Sequence, residues 1–154
     1  MQRKYPLMFI GSDHGGFILK EALKLHLKSN SLICKDLGTY SKENVNYVDI
    51  ASSVAVEVIK NRGLGILCCS SGIGVSIASN KIDGIRAALC TTPYHAEFAK
   101  RHNNANIMCF GEKVTSKEGA IEMIKIFLNT DFEGGRHKKR IDRIFEIELN
   151  RVKK

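Results

Sequence analysis

A chain of 154 residues, 44% of them hydrophobic, is long enough for one sizeable core and too short for a second independent domain. Nothing in it approaches the ~18 consecutive apolar residues of a membrane span, and the charged start from Met1 to Leu7 lacks a hydrophobic signal core, so a cytoplasmic location is expected. The net charge of +8 suits an anionic partner, either a phosphorylated metabolite or a nucleic acid, and charge alone does not choose between them.

Along the chain, short apolar runs alternate with longer segments of helical period, the pattern of a parallel sheet covered by helices. Strands are predicted at Leu7 to Gly11, Leu32 to Asp36, Leu64 to Cys69, Ile85 to Cys90 and Asn106 to Gly111, each about 5–6 residues long. The first helix, Gly15 to Lys28, is expected to turn Ile18, Leu19, Ala22, Leu23, Leu25 and Leu27 towards the sheet; the second, Val48 to Asn61, uses Ile50, Ala51, Val54, Ala55, Val58 and Ile59. A short third helix begins near Gly74, and a fourth begins at Thr92-Pro93, a cap followed by a first-turn proline. Thr115 and Glu118 stand at capping-box spacing before a fifth helix that reaches about Leu128.

After the turn at Gly134-Gly135, a last helix from about Lys138 to Val152 carries Ile141, Ile144, Phe145, Ile147, Leu149 and Val152 near helical spacing. With five strands already covered, it closes its own domain or docks on a second copy; the arginines at its start favour a subunit contact. The architecture expected is a single three-layer α/β/α domain spanning 1–154, with a five-stranded parallel sheet. The loop from Gly38 to Tyr47, polar and following a strand, is expected to rim a site.

In an open parallel sheet, ligands bind beyond the carboxyl ends of the strands. After the first strand, Gly11-Ser12-Asp13-His14-Gly15-Gly16 sets a carboxylate and an imidazole among glycines that admit close backbone approach; Asp13 is either a helix cap or a site group. After the third, Cys68-Cys69-Ser70-Ser71-Gly72-Ile73-Gly74 provides backbone amides able to form a concave nest for an oxyanion. The two thiols of a strand dipeptide point to opposite faces, so at most one serves the loop, and Cys69 is the better base. The plain alternative is that both are core filler, which the polar glycine loop argues against.

His102, in the polar cluster Arg101-His102-Asn103-Asn104, reads either as a helix-end cation or as an acid–base group near its working pH. Arg136 and Arg140 share a helical face and can clamp a phosphate. The wider basic tail, Arg136 to Lys154, has few aromatics and reads as a solvated helix face rather than a nucleic-acid reader.

The five cysteines, odd in number and with no Cys-x-x-Cys, are expected to be reduced and mostly buried. A dinucleotide fingerprint fails because Ile77 stands where its third small residue belongs, and no Walker motif or Gly-x-Ser-x-Gly elbow occurs. A cysteine phosphatase would need an arginine where Val75 stands, and no histidine pair has close metal spacing, so neither metal nor cofactor is expected.

Taken together, Gly11 to Gly16, Cys69 with Ser70 to Gly74, Asn80-Lys81 with Gly84-Ile85-Arg86-Ala87, His102-Asn103 with Asn106, and Gly134-Gly135-Arg136-His137 with Arg140 resemble the ribose-5-phosphate isomerase B and galactose-6-phosphate isomerase family over nearly the whole chain. The resemblance implies a Rossmann-like fold, a sugar-phosphate substrate, and dimers or paired dimers whose active sites lie between subunits, with no nucleic acid or membrane partner. It implies that Cys69 moves the proton between C1 and C2 while the Ser70, Ser71, Gly72, Ile73 and Gly74 amides hold the enediolate. By the same resemblance, His102 opens the furanose, Asp13 assists at the sugar hydroxyls, Asn103 binds substrate oxygens, and His14, Arg136 and Arg140 take the phosphate.

The chain departs from the family at a few positions. Lys113 stands where an arginine is common, which would turn a bidentate phosphate contact into a point charge; Val48 replaces a proline, and Ser70-Ser71 replaces Gly-Thr or Gly-Ser. Val75 stands near the place of the glutamate base that other members use, so the resemblance puts this chain with the cysteine group. Whether a pentose or a six-carbon sugar phosphate is preferred depends on pocket size.

Overall fold

The computed structural model describes residues 5–151. Its elements in chain order are β1 (Met8–Ser12), a 3-10 turn (His14–Gly16), α1 (Phe17–Ser29), β2 (Cys34–Asp36), α2 (Tyr47–Asn61) and β3 (Leu64–Cys69). There follow α3 (Ile73–Ser79), β4 (Ala87–Leu89), α4 (Pro93–Arg101), β5 (Ile107–Gly111), α5 (Lys117–Leu128) and α6 (Arg136–Arg151). All strand pairings are parallel, in the order β2-β1-β3-β5-β4.

Alternation along the central strands sorts side chains into two cores. Met8, Ile10, Ile66, Cys68, Met108 and Phe110 meet α1, α4 and α5 on one face. Phe9, Leu67, Cys69, Ile107 and Cys109 meet α2 and α3 on the other. Every residue of β1, β3 and β5 is buried, as covering on both faces requires, and each fully buried Leu, Ile or Phe contributes about 1.5–3 kcal/mol. The sandwich of helices, sheet and helices is the three-layer α/β/α architecture expected.

Several expectations need correction. The edge strands β2 and β4 are three residues each, because an edge has a ladder partner on one side only and its ends leave the sheet sooner. On α1 only Leu19, Leu23 and Leu27 line the sheet, while Ile18 and Leu25 are exposed; Ile59 of α2 is exposed too. Their places in the sequence fit a broad stripe, but the sheet receives a narrower one. The cap of α5 is Ser116, whose hydroxyl accepts from Gly119 N at 3.1 Å, so Thr115 and Glu118 do not form the capping box. Helix α6 begins at Arg136 rather than near Lys138, with Gly134 and Gly135 in left-handed conformations just ahead of it; Val152 lies outside the described residues.

Lys20 of α1 is fully buried. Its ammonium donates to both Asp36 oxygens, at 2.9 and 2.7 Å, and to the Thr39 carbonyl at 2.7 Å, fastening the start of the 38–46 loop to α1. Burial alone would raise the Asp36 carboxyl, but hydrogen bonds from Lys20 and Lys24 and from the Gly38 amide outweigh it and hold the group below its ordinary value. A depressed carboxylate stabilises the fold above its unfolded value, and that contribution is lost as pH falls through the folded one. Asp36→Asn should therefore cost about 1–3 kcal/mol at neutral pH by urea denaturation, because the buried Lys20 then keeps Glu21, at 3.0 Å, as its acidic partner. It should also flatten the loss of stability of the parent below about pH 4.

Candidate active site

Register brings the first two loaded loops together. In β1 and β3, Ser12 stands opposite Cys68, so the Asp13–Gly16 turn and the Ser70–Gly74 loop leave adjacent strands side by side. Asp13 N donates to the Cys68 carbonyl at 3.2 Å, and the Asp13 carboxylate accepts from Gly15 N (2.9 Å) and Gly16 N (3.1 Å). Asp13 is thus the cap of its turn and a wall of the cleft at once. Gly16 packs so tightly on Cys68 that a Cβ there would overlap the Cys68 peptide. His14 is exposed; its Nδ1 accepts from Val45 N at 3.4 Å, and the Tyr47 ring lies against Gly74, so the end of the Gly38–Tyr47 loop stands beside both turns.

Cys68 and Cys69 point to opposite cores. The Cys69 sulfur accepts from Gly72 N at 3.0 Å, inside the curl of the loop. Ser71 Oγ accepts from Ile73 N at 3.2 Å, and α3 starts at Ile73, so its leading amides have no acceptor within the helix. The other four thiols are driven towards inertness. Burial pushes Cys34 and Cys90 up to about 12, and it drives Cys68 and Cys109 upward as well, with neighbouring thiols adding to the effect there. Lys113, exposed, sits just beyond β5 with its amide donating to the Ser70 carbonyl at 3.1 Å.

The remaining expected residues lie elsewhere. His102 caps the carboxyl end of α4, and the turn after it runs into the amino end of β5, where the Asn106 carbonyl accepts from Gly65 N at the start of β3. Cys69 ends that same strand. Four steps of β3, from Gly65 to Cys69, thus separate the two groups along the strand, about 13 Å at roughly 3.3 Å per residue. Asn103 is near His102, but its side-chain nitrogen donates to the Phe98 carbonyl at 3.0 Å and closes the helix. Arg136 and Arg140, both exposed on the first turns of α6, belong to this second group.

Two residues that had no assigned role join it. The His137 ring stacks on His102, centroids 3.8 Å apart and 12° between planes. Glu133 reaches both imidazoles, 3.6 Å from His102 Nε2 and 3.5 Å from His137 Nε2. Sequence spacing hides this trio, since 31 residues separate Glu133 from His102 (133 minus 102). Burial holds His137 below its ordinary value, and the neighbouring His102, Arg136 and Arg140 press in the same direction against the opposing effect of Glu133. Side chains of this kind, with ligand atoms within 4.8 Å of one another, are a grouping that metals use. Here Arg136 Nε already donates to His137 Nε2 at 3.2 Å, the lone pair a metal would need.

One chain therefore carries a sulfur held in an amide loop at the carboxyl end of the sheet, and an imidazole–carboxylate–arginine group at the amino end. Gly72 is the test of the first. It has φ +77, and a Cβ there would lie 2.9 Å from the Phe110 carbonyl carbon and 3.0 Å from Gly111 N. Gly72→Ala should lower stability by about 1–3 kcal/mol in thermal or urea unfolding, since strain and overlap add at the position that aims an amide at Cys69.

Residues 8–144 match the sequence pattern of the Ribose/Galactose Isomerase family. The chain is similar to ribose-5-phosphate isomerase B of Escherichia coli, 42% identical over 92% of this chain and 95% of that protein. Among solved structures it resembles ribose-5-phosphate isomerase B of Clostridium thermocellum, with TM-score 0.91 and 42% identity over 93% of this chain and 97% of the other. It also resembles the Mycoplasma genitalium enzyme of the same name solved with bound ribulose-5-phosphate, with TM-score 0.89 and 41% identity over 92% and 95% of the two chains.

Proposed function

This chain belongs to the ribose/galactose isomerase family, and from that footing we propose that it interconverts ribose 5-phosphate and ribulose 5-phosphate as an aldose–ketose isomerase. The observation that carries the reading is the solved relative holding ribulose-5-phosphate, matched along nearly its whole length. The Cys69 sulfur, facing the Gly72 amide at 3.0 Å, supports the chemistry.

In this reading His102 gives a proton to the ring oxygen as its bond to C1 breaks, the C1 hydroxyl gives up its proton to water, and the sugar opens to the aldehyde. The Cys69 thiolate then takes the hydrogen on C2, and the electrons move to the aldehyde oxygen, giving an enediolate held by the Ser70–Gly74 amides. The C2 hydroxyl proton passes to the charged oxygen on C1, and as the C2 carbonyl forms the proton on sulfur returns to C1. Base and charge-stabilising donors act on one side of the substrate, which lets the loop favour the transition state over the bound sugar. His14, Arg136 and Arg140 hold the phosphate, with Lys113 adding a point charge, while Asp13 and Asn103 meet sugar oxygens.

Because the sulfur lies at the carboxyl end of β3 and the His102 turn at the amino end, this reading does not bring both to one substrate within one chain. The reading therefore takes the enzyme as a single-domain chain that works as a homodimer or a dimer of dimers, each site pairing the loop of one protomer with the His102 group of its partner. Helix α6, with Ile144, Phe145, Ile147 and Leu149 exposed on either side of the buried Glu148, supplies surface for that contact. Such a dimer would work in the cytoplasm, with no cofactor.

Purified protein should convert ribose 5-phosphate with a chelator present, and Cys69→Ala should lose turnover by about 10³-fold or more while still binding a phosphate ligand. Turnover of allose 6-phosphate alone would keep the mechanism and change the substrate; turnover of neither sugar would refute the reading. The shared site has its own check. Co-expressed in equal amounts, Cys69→Ala and His102→Asn chains pair as heterodimers in half the population, each with one intact site of two. About a quarter of the parental activity should then return, where a site built within one chain would return none.

A further inference from the structure

The turn that carries His102 is held by a side chain to which neither the family resemblance nor the reaction scheme gives a role. Arg86, just before β4, spends its guanidinium on backbone carbonyls. Nε donates to Asn103 O and Asn104 O, both at 3.1 Å, and Nη2 donates to Asn104 O at 2.9 Å. Asn104 has φ +42, a left-handed conformation that a non-glycine residue keeps only when its surroundings impose it. Two further bonds lock Arg86 itself: its amide donates to Asn106 Oδ1 at 2.8 Å, and its carbonyl accepts from Asn106 N at 3.0 Å.

The same knot reaches α6. Asn106 Nδ2 donates to the Gly84 carbonyl at 2.9 Å, and Gly84 N donates to the buried Glu148 carboxylate at 3.0 Å. Helix α6 bears His137, on which His102 stacks, and Arg136 and Arg140. Arg86 thus stands where the α4–β5 turn, the start of β4 and the far end of α6 are tied together.

We propose that Arg86 is a positioning residue for His102: its guanidinium fork fixes the 102–104 turn, and the Gly84–Glu148 bond registers that turn against α6, so that the imidazole faces the partner's loop in one geometry. The inference rests on His102 being the ring-opening acid. Lysine cannot replace Arg86, since one ammonium does not span two successive carbonyls in a planar fork.

Ribulose 5-phosphate is acyclic, so exchange of its C1 hydrogen with solvent deuterium needs the base and its loop but no ring chemistry. Arg86→Met should slow ribose 5-phosphate conversion about 10- to 100-fold while leaving C1 exchange within about twofold, as His102→Asn does, and the double variant should be hardly slower than His102→Asn alone. Arg86→Lys should behave in the same way and carries the test if the Met variant melts below assay temperature. Parallel loss of exchange and conversion, or full additivity with His102→Asn, would mean that Arg86 only supports the fold, and the proposal fails. If His102→Asn itself converts ribose 5-phosphate normally, the acid assignment falls first and this inference goes with it.

Discussion

The parallel pairing of β1 with β3, in register from Met8 opposite Leu64 to Ser12 opposite Cys68, decides where two loops distant in sequence meet. Because those strands are neighbours at the point where chain order reverses, one to the β2 side and one to the β5 side, their following turns share a crevice instead of being covered by a crossover. A slip of one residue would turn Cys69 to the face now occupied by Cys68 and bury the sulfur among α1 and α5 side chains. Gly16 guards the register from the other side, since any side chain there would collide with the Cys68 peptide. Burial of both strands on both faces supplies the energy that holds this arrangement.

Much of this was legible in the sequence because period and apolar runs report burial, and the central strands are buried throughout. Leu64–Cys69 was read residue for residue, and the turn at Gly134-Gly135 announced the last helix. What escaped was information carried by partners far along the chain. A lysine at position 20 looks like solvent-facing helix until Asp36, sixteen residues on, is brought against it by β1–β2 pairing. Ile18, Leu25 and Ile59 fit a broad apolar stripe by position, yet only packing decides how wide a stripe the sheet accepts. Ser116 rather than Thr115 caps α5, a one-residue difference that two adjacent hydroxyl residues leave open.

At the site, the loop chemistry was visible because glycines and a cysteine cluster in a few consecutive residues. The other half was visible only as fragments. His102, Glu133 and His137 form one stacked group, but their spacing matches no motif, and Glu133 carried no signal of its own. Arg86 likewise reads as one more cation of a basic chain until its carbonyl partners are seen. The positive charge that first suggested an anionic partner thus divides into groups with different work: Lys20 inside the fold, Arg86 inside a turn, and Arg136 and Arg140 at the surface.

The two outermost strands, β2 and β4, are three residues each, and that brevity has its own consequence. An exposed strand edge is a template on which another chain can add a strand, and a few backbone groups offer too short a template to hold one. Growth of the sheet from molecule to molecule is therefore blocked at both margins. Contact with another copy would then fall to side chains on helices and loops, where shape rather than backbone hydrogen bonding chooses the partner.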